Sequence, residues 1–487
     1  MTFNTIPAAV RAPWVAVEFD SSRSSQGSTE MPYAALIAGQ KTTGTWAANT
    51  YHRVSNADQV AVGAGRGSQL HRQARAWFRN NTTTELWVGV LEDNASGVAA
   101  TCTVTVTGTA TENGALSFRV GGQLVQVPVA AGDAQNAVAA NTAAAFPSVS
   151  DLPVTGVAAT NVVTLTSRGK GTWANDIDVR LNYSDGEKTP AGLTVVITPM
   201  ASGATNPLLT SLIAALGDKW FNIIVHPYTD ATSLTAIETE LARRFGPMTM
   251  IDGMAFTSAA GTVADLTTLG NSRNSPHSCV VAQPGDNPLT PPDEFAAAVA
   301  AVAAFHGAID PARPFQTLPV VGTLQPAEAD LFTFEERNGL LYDGIATTRT
   351  AAGGIVQLER LITTYQTNAS GGPDRSYLDV TRLLTLMYLR YDFRTTIQGK
   401  YARHKLGNDG GRYASGQPII TPSTGRAEAV AWFRRHEAAG LVEDFDQFLA
   451  DLVCERDTND PSRLNWYLAP NMINQFIFGA AKISFID

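Results

Sequence analysis

Residues 220–256 read WFNIIVHPYTDATSLTAIETELARRFGPMTMIDGMAF, and this stretch decides the fold class. An apolar run at 220–226 ends in Pro227 and a polar turn. Residues 233–245 then set Leu234, Ile237 and Leu241 at helical spacing, and a second apolar run covers 248–256. A run that is apolar on both faces needs cover on both, as a strand in a parallel sheet wrapped by helices has. The rhythm extends both ways. Downstream the pattern gives a helix at 262–269, a strand at 277–282 and an Ala-rich helix at 293–305. Upstream it gives a helix at 208–216 and, earlier, strands at 33–39 and 85–91 with a helix at 68–80 between them. Strands alternating with helices indicate an α/β layer structure. Such sheets often carry ligands beyond the C-terminal ends of their strands.

Between these halves the texture changes. Residues 95–200 are rich in Thr, Val, Gly and Ala. Residues 101–107 alternate strictly and 161–166 in part, Asn113-Gly114 and Gly121-Gly122 signal hairpin turns, and 133–146 reads as an Ala-rich helix. A third region follows residue 343, with a strand at 354–364 and helices at 377–396 and 426–439. Strand patterns lie at both ends of the chain. Val15, Val17 and Phe19 share one face near the start; Phe476 with Phe478, and Ile483 with Phe485, do so at the end. The expected fold is α/β and α+β multidomain: a helix-wrapped, mostly parallel sheet core, an inserted mostly-β domain and a C-terminal α+β domain. The expected boundaries are an N-terminal arm at 1–20, a discontinuous α/β domain at 21–94 and 201–343, the insertion at 95–200, the C-terminal domain at 344–472 and a C-terminal arm strand at 473–487.

Composition narrows the function. The 487 residues hold 35 Lys+Arg against 44 Asp+Glu, a net charge of −9, which argues against extended contact with nucleic acid. Apolar residues make up 44%, too many for a disordered chain. Charged residues make up 16%, where about 25% is usual, so part of the surface is expected to lie against other copies or partners. No stretch reaches the about 18–20 apolar residues needed to cross a bilayer, and the N-terminus lacks the layout of a secretory signal. Cys102, Cys279 and Cys454 are too few for a disulfide framework and read as free thiols, with a bond between subunits as the alternative.

Catalytic patterns are weak. Gly63-Ala64-Gly65-Arg66-Gly67-Ser68 precedes a helix and could cradle an anion, but it lacks the Lys-Ser/Thr of a phosphate loop and reads as a tight turn. The seven histidines show no zinc-ligand spacing, and there is no Gly-x-Ser-x-Gly elbow. His226, Asp230 and Asp252 lie near strand ends, where an α/β enzyme would place its site; they read as a half-buried histidine beside a capping aspartate, and a turn. Nothing assembles a nucleophile, a base and an orienting group, so no catalytic residue, metal or cofactor is expected. One basic run stands out: Arg390, Arg394, Lys400, Arg403, His404, Lys405 and Arg412, with Arg426, Arg434 and Arg435 further on. It reads as a solvated helix face, a polyanion site or a docking surface for an acidic partner.

Several longer motifs occur in order: 270–277 (GNSRNSPH), 335–344 (EERNGLLYDG), 360–368 (RLITTYQTN), 376–380 (SYLDV), 388–392 (YLRYD), 403–406 (RHKL), 439–443 (AGLVE) and 473–476 (INQF). Together they resemble the tail sheath proteins of Mu-like contractile-tailed bacteriophages over nearly the whole chain. The resemblance implies a structural subunit of a six-fold helical homopolymer around a tail tube, with baseplate and tail terminator proteins as further partners. It implies assembly in the host bacterial cytoplasm, residence in the virion tail, and contraction that drives the tube through the host envelope for genome delivery. It also implies that terminal arms, here Val15, Val17 and Phe19, and Phe476, Phe478, Ile483 and Phe485, add strands to sheets of neighbouring subunits. The basic run from Arg390 to Arg412, with Arg426, Arg434 and Arg435, is the corresponding candidate for tube contact. Direct nucleic-acid binding and membrane insertion are not implied. The sheath of a phage-derived bacteriocin or prophage particle is the neighbouring alternative, and an α/β enzyme a distant one.

Overall fold

The computed structural model describes residues 31–286 and 288–486, so the arm positions Val15, Val17 and Phe19 lie outside the described residues. The chain opens with β1 (Ala34–Gln40), β2 (Tyr51–Val54), α1 (Ala57–Ala64), α2 (Gln69–Asn80) and β3 (Glu85–Leu91). The Thr-rich stretch forms β4 (Ala99–Gly108), β5 (Gly114–Val120), β6 (Gln123–Val129), α3 (Gln135–Ala145), β7 (Val154–Ala159), β8 (Val162–Lys170), β9 (Val179–Leu181) and β10 (Leu193–Ile197). Then come α4 (Thr210–Leu216), β11 (Ile223–Val225), α5 (Ala231–Phe245), β12 (Met254–Gly261), α6 (Val263–Asn271), β13 (Ser278–Pro284) and α7 (Pro292–Ile309).

These elements build a six-stranded sheet in the order β13-β12-β11-β1-β3-β2, parallel throughout except for β2, which runs against β3. Alternation within β1 shows why its run is apolar on both faces. Ala35 and Ile37 enter one core with α2 and α7, while Leu36 and Ala38 enter a second core shared with the Thr-rich region. In α7, the alanines from Ala296 to Ala304 are fully buried, and their small side chains let α2 approach closely.

The Thr-rich region holds a four-stranded antiparallel sheet, β10-β4-β8-β7, and a three-stranded sheet, β6-β5-β9. Along β4, Cys102, Val104 and Val106 point inward and the alternating threonines outward. Gly121 and Gly122 join β5 to β6 with φ of +52° and +77°, a two-residue turn open to glycine without strain. Asn113-Gly114 makes no hairpin: β4 pairs with β8 and β10, so the chain there crosses from one sheet to the other.

Other expected elements are shorter or displaced. The strand expected at 248–256 begins only at Met254, because residues 248–253 turn, with Met250 at a φ of +49° and Asp252 held by Arg390. The one expected at 220–226 narrows to Ile223–Val225, since the Trp220 indole turns aside to donate to the Asp252 carbonyl.

The rest of the chain forms α8 (Phe334–Tyr342), β14 (Thr347–Ala351), β15 (Ile355–Arg360), α9 (Val380–Tyr401), β16 (Lys405–Leu406), β17 (Ile419–Ile420), α10 (Pro422–Ala438), β18 (Val442–Glu443), α11 (Phe445–Asp451), β19 (Val453–Arg456), β20 (Leu464–Tyr467) and β21 (Asn471–Met472). The β14–β15 hairpin stops at Arg360, short of the expected 364. Trp432, Phe433 and Phe448 form a third core with Leu389 and Val442, and the Phe433 and Phe448 rings stack at 4.3 Å. Beyond Met472 the chain forms no strand, which corrects the strands expected at 474–478 and 482–486. A strand exists only against a partner strand, and the described residues supply none.

At the C-terminal edge of the central sheet, Arg72 is 1% exposed and bridges two carboxylates. Its Nη2 lies 2.9 Å from Asp293 Oδ2 and its Nη1 lies 2.6 Å from Glu294 Oε1. The guanidinium also sits 5.4 Å from the centre of the Trp173 ring, contributed by the Thr-rich region. The cluster therefore ties α2, the start of α7 and that region together. Burial and the nearby Asp293 and Asp286 raise the Asp176 carboxyl to about 7.

Candidate functional site

Of the residues considered for catalysis, Asp230 and Asp252 have structural partners. His226 is fully buried. Asp230 caps α5, accepting from the Ser233 amide at 2.9 Å and from Asn206 at 2.9 Å. Asp252 is 2% exposed and pairs with Arg390 at 2.9 Å; burial raises its carboxyl to about 6, with Arg390 acting in the opposite direction. In the glycine loop, the Gly65 amide donates to the Ala61 carbonyl, the Gly67 amide to His71 Nδ1, and the Ser68 hydroxyl accepts from the His71 amide. Among the described residues, no group of three His, Cys, Asp or Glu side chains could hold a metal, and no helix is long and apolar enough to cross a membrane. Cys102 and Cys279 are buried and Cys454 half-buried, all as free thiols.

The basic run does not form one surface. Arg390 also donates to the Phe245 carbonyl at 2.7 Å and lies 4.2 Å over the Phe245 ring. Arg394 faces the Trp220 ring at 5.9 Å. Arg426 donates to the Leu449 and Leu452 carbonyls, Arg435 pairs with Asp392, Lys400 with Glu428 and Arg434 with Glu437. Most of these cations fasten α9 and α10 to their surroundings. Arg403, Lys405 and Arg412 are different: they lie exposed on the segment between α9 and α10 and pair with no carboxylate among the described residues.

The segment after β21 is the most conspicuous surface feature. Phe476 is 75% exposed, Phe478 79%, Ile483 89% and Phe485 85%. Five such groups, with Ile486, make an apolar ribbon that water-exposed chains avoid unless a partner covers it. The ribbon is anchored at its root. The Ile473 amide donates to the Leu441 carbonyl at 3.1 Å, and Gln316 donates to the Phe476 carbonyl at 3.1 Å. Leu441 also lines a groove of about 540 Å³ with Tyr33, Ile309, Leu384 and Met31, the first described residue. Leu441 thus meets both the root of the ribbon and the groove that Met31 lines.

Close by, β19 and β20 pair antiparallel from Val453–Tyr467 to Arg456–Leu464, and among the described residues both outer edges of this hairpin are open. The sequence reading missed it, because each strand spans only four residues; the turn-rich 457–462 between two short alternating runs was the available signal. Gly425 of α10 lets the hairpin sit close: a Cβ there would come within 2.8 Å of Cys454 Sγ and 3.0 Å of Leu464 Cδ2. The Trp466 indole donates to the Gly425 carbonyl at 3.0 Å. Gly425→Val is expected to push the hairpin off α10 at a cost of about 1–3 kcal/mol. Hydrogen exchange should show faster exchange at 453–467 with the central sheet unchanged.

Comparison with known proteins places these features in a family. Residues 202–364 match the profile of the phage tail sheath protein central domain, and residues 373–486 that of the phage tail sheath C-terminal domain. The chain is 42% identical to the Mu-like prophage FluMu tail sheath protein of Haemophilus influenzae over 487 residues, 100% of this chain and 99% of the relative. A sheath tail protein of Desulfitobacterium hafniense aligns with a TM-score of 0.48 at 14% identity, covering 94% of this chain and 100% of the other. One from Listeria innocua aligns with a TM-score of 0.47 at 14% identity, covering 91% and 95%.

Proposed function

Because the chain belongs to the phage tail sheath family, whose members are structural proteins and not enzymes, we propose that it polymerises as a six-fold helical sheath around a tail tube. In this reading the sheath shortens on a baseplate signal and drives the tube through the host envelope, delivering the genome. The exposed apolar ribbon after Met472 is the observation that carries the assembly half of this proposal. Phe476, Phe478, Ile483 and Phe485 leave their own chain and add a strand to an open sheet edge of a neighbour, and Val15, Val17 and Phe19 act likewise at the other end. Main-chain hydrogen bonds supply the affinity of such additions, and side-chain pockets the specificity. The β19–β20 hairpin offers an edge of the required kind.

Energy for contraction comes from new interfaces that form between subunits while their bodies move as rigid units. Tube contact falls to the C-terminal domain. Arg403, Lys405 and Arg412 are the members of the basic run free to meet an acidic partner; Arg390 and Arg394 instead tie α9 to residues 220–252, and Arg426 and Arg435 hold α9, α10 and their neighbours together. The domain scheme set out from sequence, two arms flanking three folded units, fits this role.

Electron microscopy of the purified full chain provides the test. Tubes or six-membered rings are expected as concentration rises; discrete small particles at every concentration and salt condition would refute the proposal.

A further inference from the structure

We propose that the four-stranded inserted sheet joins edge to edge with that of a second copy, β10 of one against β7 of the next. The inference rests on the homopolymer reading above and adds a contact surface to it.

Among the described residues, nothing pairs with either outer edge of this sheet. β10 reads Leu193-Thr194-Val195-Val196-Ile197 and β7 reads Val154-Thr155-Gly156-Val157-Ala158-Ala159. Neither strand carries a Lys, a Pro or any charge, the usual means by which a protein blunts an exposed strand edge. Val157 is 70% exposed and Val196 58%. The outward backbone groups can be assigned. The Thr198 amide donates to Thr103, and the Val106 amide to Asn161. The hydrogen-bonded pairs of β10 with β4 are therefore those of Thr194 and Val196, which leaves the backbone groups of Val195 and Ile197 facing out. The Arg168 amide donates to Pro153, so Thr155, Val157 and Ala159 bond to β8, and Val154, Gly156 and Ala158 face out.

The two edges match each other. The four strands alternate in direction, so β10 and β7 run oppositely. A second copy placed alongside without being flipped therefore presents its β10 antiparallel to the first copy's β7. Its threonine-bearing face continues that of the first copy. The contact is heterologous, with different surfaces on the two partners, and such contacts propagate into rings or helices. The register that brings the two exposed valines together pairs Gly156 with Ile197 and Ala158 with Val195 through their outward groups. It sets Val157 directly opposite Val196 in a non-hydrogen-bonded pair, whose Cα atoms lie about 4.5 Å apart. That spacing accommodates a disulfide.

The test is a full-length chain carrying Val157→Cys and Val196→Cys, polymerised, oxidised with copper-phenanthroline and run on a nonreducing gel. A ladder of dimers, trimers and higher species that collapses with dithiothreitol is expected, with no ladder from wild type or from either single variant. Polymers of the double variant that yield only a monomer band would overturn the inference while leaving the homopolymer reading intact. Failure of the wild-type chain to polymerise under any condition would remove that reading, and this inference with it. As a second measurement, Val157→Lys with Val196→Lys should raise the protein concentration needed for polymer several-fold, and Val157→Glu with Val196→Lys should restore it. Equal values for the two double variants would count against the contact.

Discussion

A chain ending at Met472 is expected to fold normally and to lose assembly outright. The last strand, β21, stays in place, with Met472 opposite Val442 and Asn471 opposite Glu443. Two hydrogen bonds are removed that tie the ribbon to the body, those of the Ile473 amide and the Phe476 carbonyl. At about 1 kcal/mol each, they are minor for a chain of this size. The apolar side chains removed contribute little within one copy, because they are already exposed. In the proposed contacts between copies their role is reversed. Burying a Phe or Ile is worth about 1.5–3 kcal/mol. Losing even two such contacts raises the concentration needed for polymer by at least about a hundredfold. Sedimentation velocity should show a monomer at concentrations where the full chain sediments as polymer, with matching near-ultraviolet circular dichroism. Long tubes from the truncated chain would mean that the ribbon is not the connector.

Arg72→Ala is expected to cost about 3–5 kcal/mol, the range for removing one partner of a buried ion pair. The guanidinium serves two carboxylates, Asp293 being 3% exposed, and its loss leaves them facing each other without a cation. The penalty depends on pH in a defined direction. Burial holds the Asp293 carboxyl above its ordinary value, and Arg72 partly counters this. A group with a raised folded-state pKa contributes stability that is present below its unfolded value, near about 4, and is lost as pH rises through the folded value. Without Arg72 the folded value moves further up. The gap between variant and wild type should therefore be small near pH 4 and should widen toward pH 8. Denaturant melts at the two pH values measure it; an equal gap at both would place the cost in lost packing and not in charge.

The central sheet was legible because parallel strands buried on both faces leave continuous apolar runs. Ala34–Gln40 and Glu85–Leu91 are such runs, and both form neighbouring strands. Strand ends were less legible, since tertiary partners set them. Residues 248–253 look as apolar as a strand, yet they turn to present Asp252 to an arginine 138 positions away. The same distance hid the nature of the basic run: local sequence shows that Arg390 and Arg394 are cations on a helix, but not that a distant carboxylate and a distant indole receive them. The β19–β20 hairpin was missed because its strands are short and Glu455 and Arg456 mask the alternation. In the ribbon after Met472 the alternation was readable, but no strand among the described residues completes it.

If the arms reach neighbours as proposed, Leu441, which lines a groove with Met31 and accepts from the Ile473 amide, marks a root with a mechanical consequence. Links that reach neighbours from a common root pull at one point, so they transmit force but very little torque. A subunit tethered this way swivels about that point without stretching its tethers, as a ball joint does. A lattice of such joints can change pitch and diameter while every connection keeps its length.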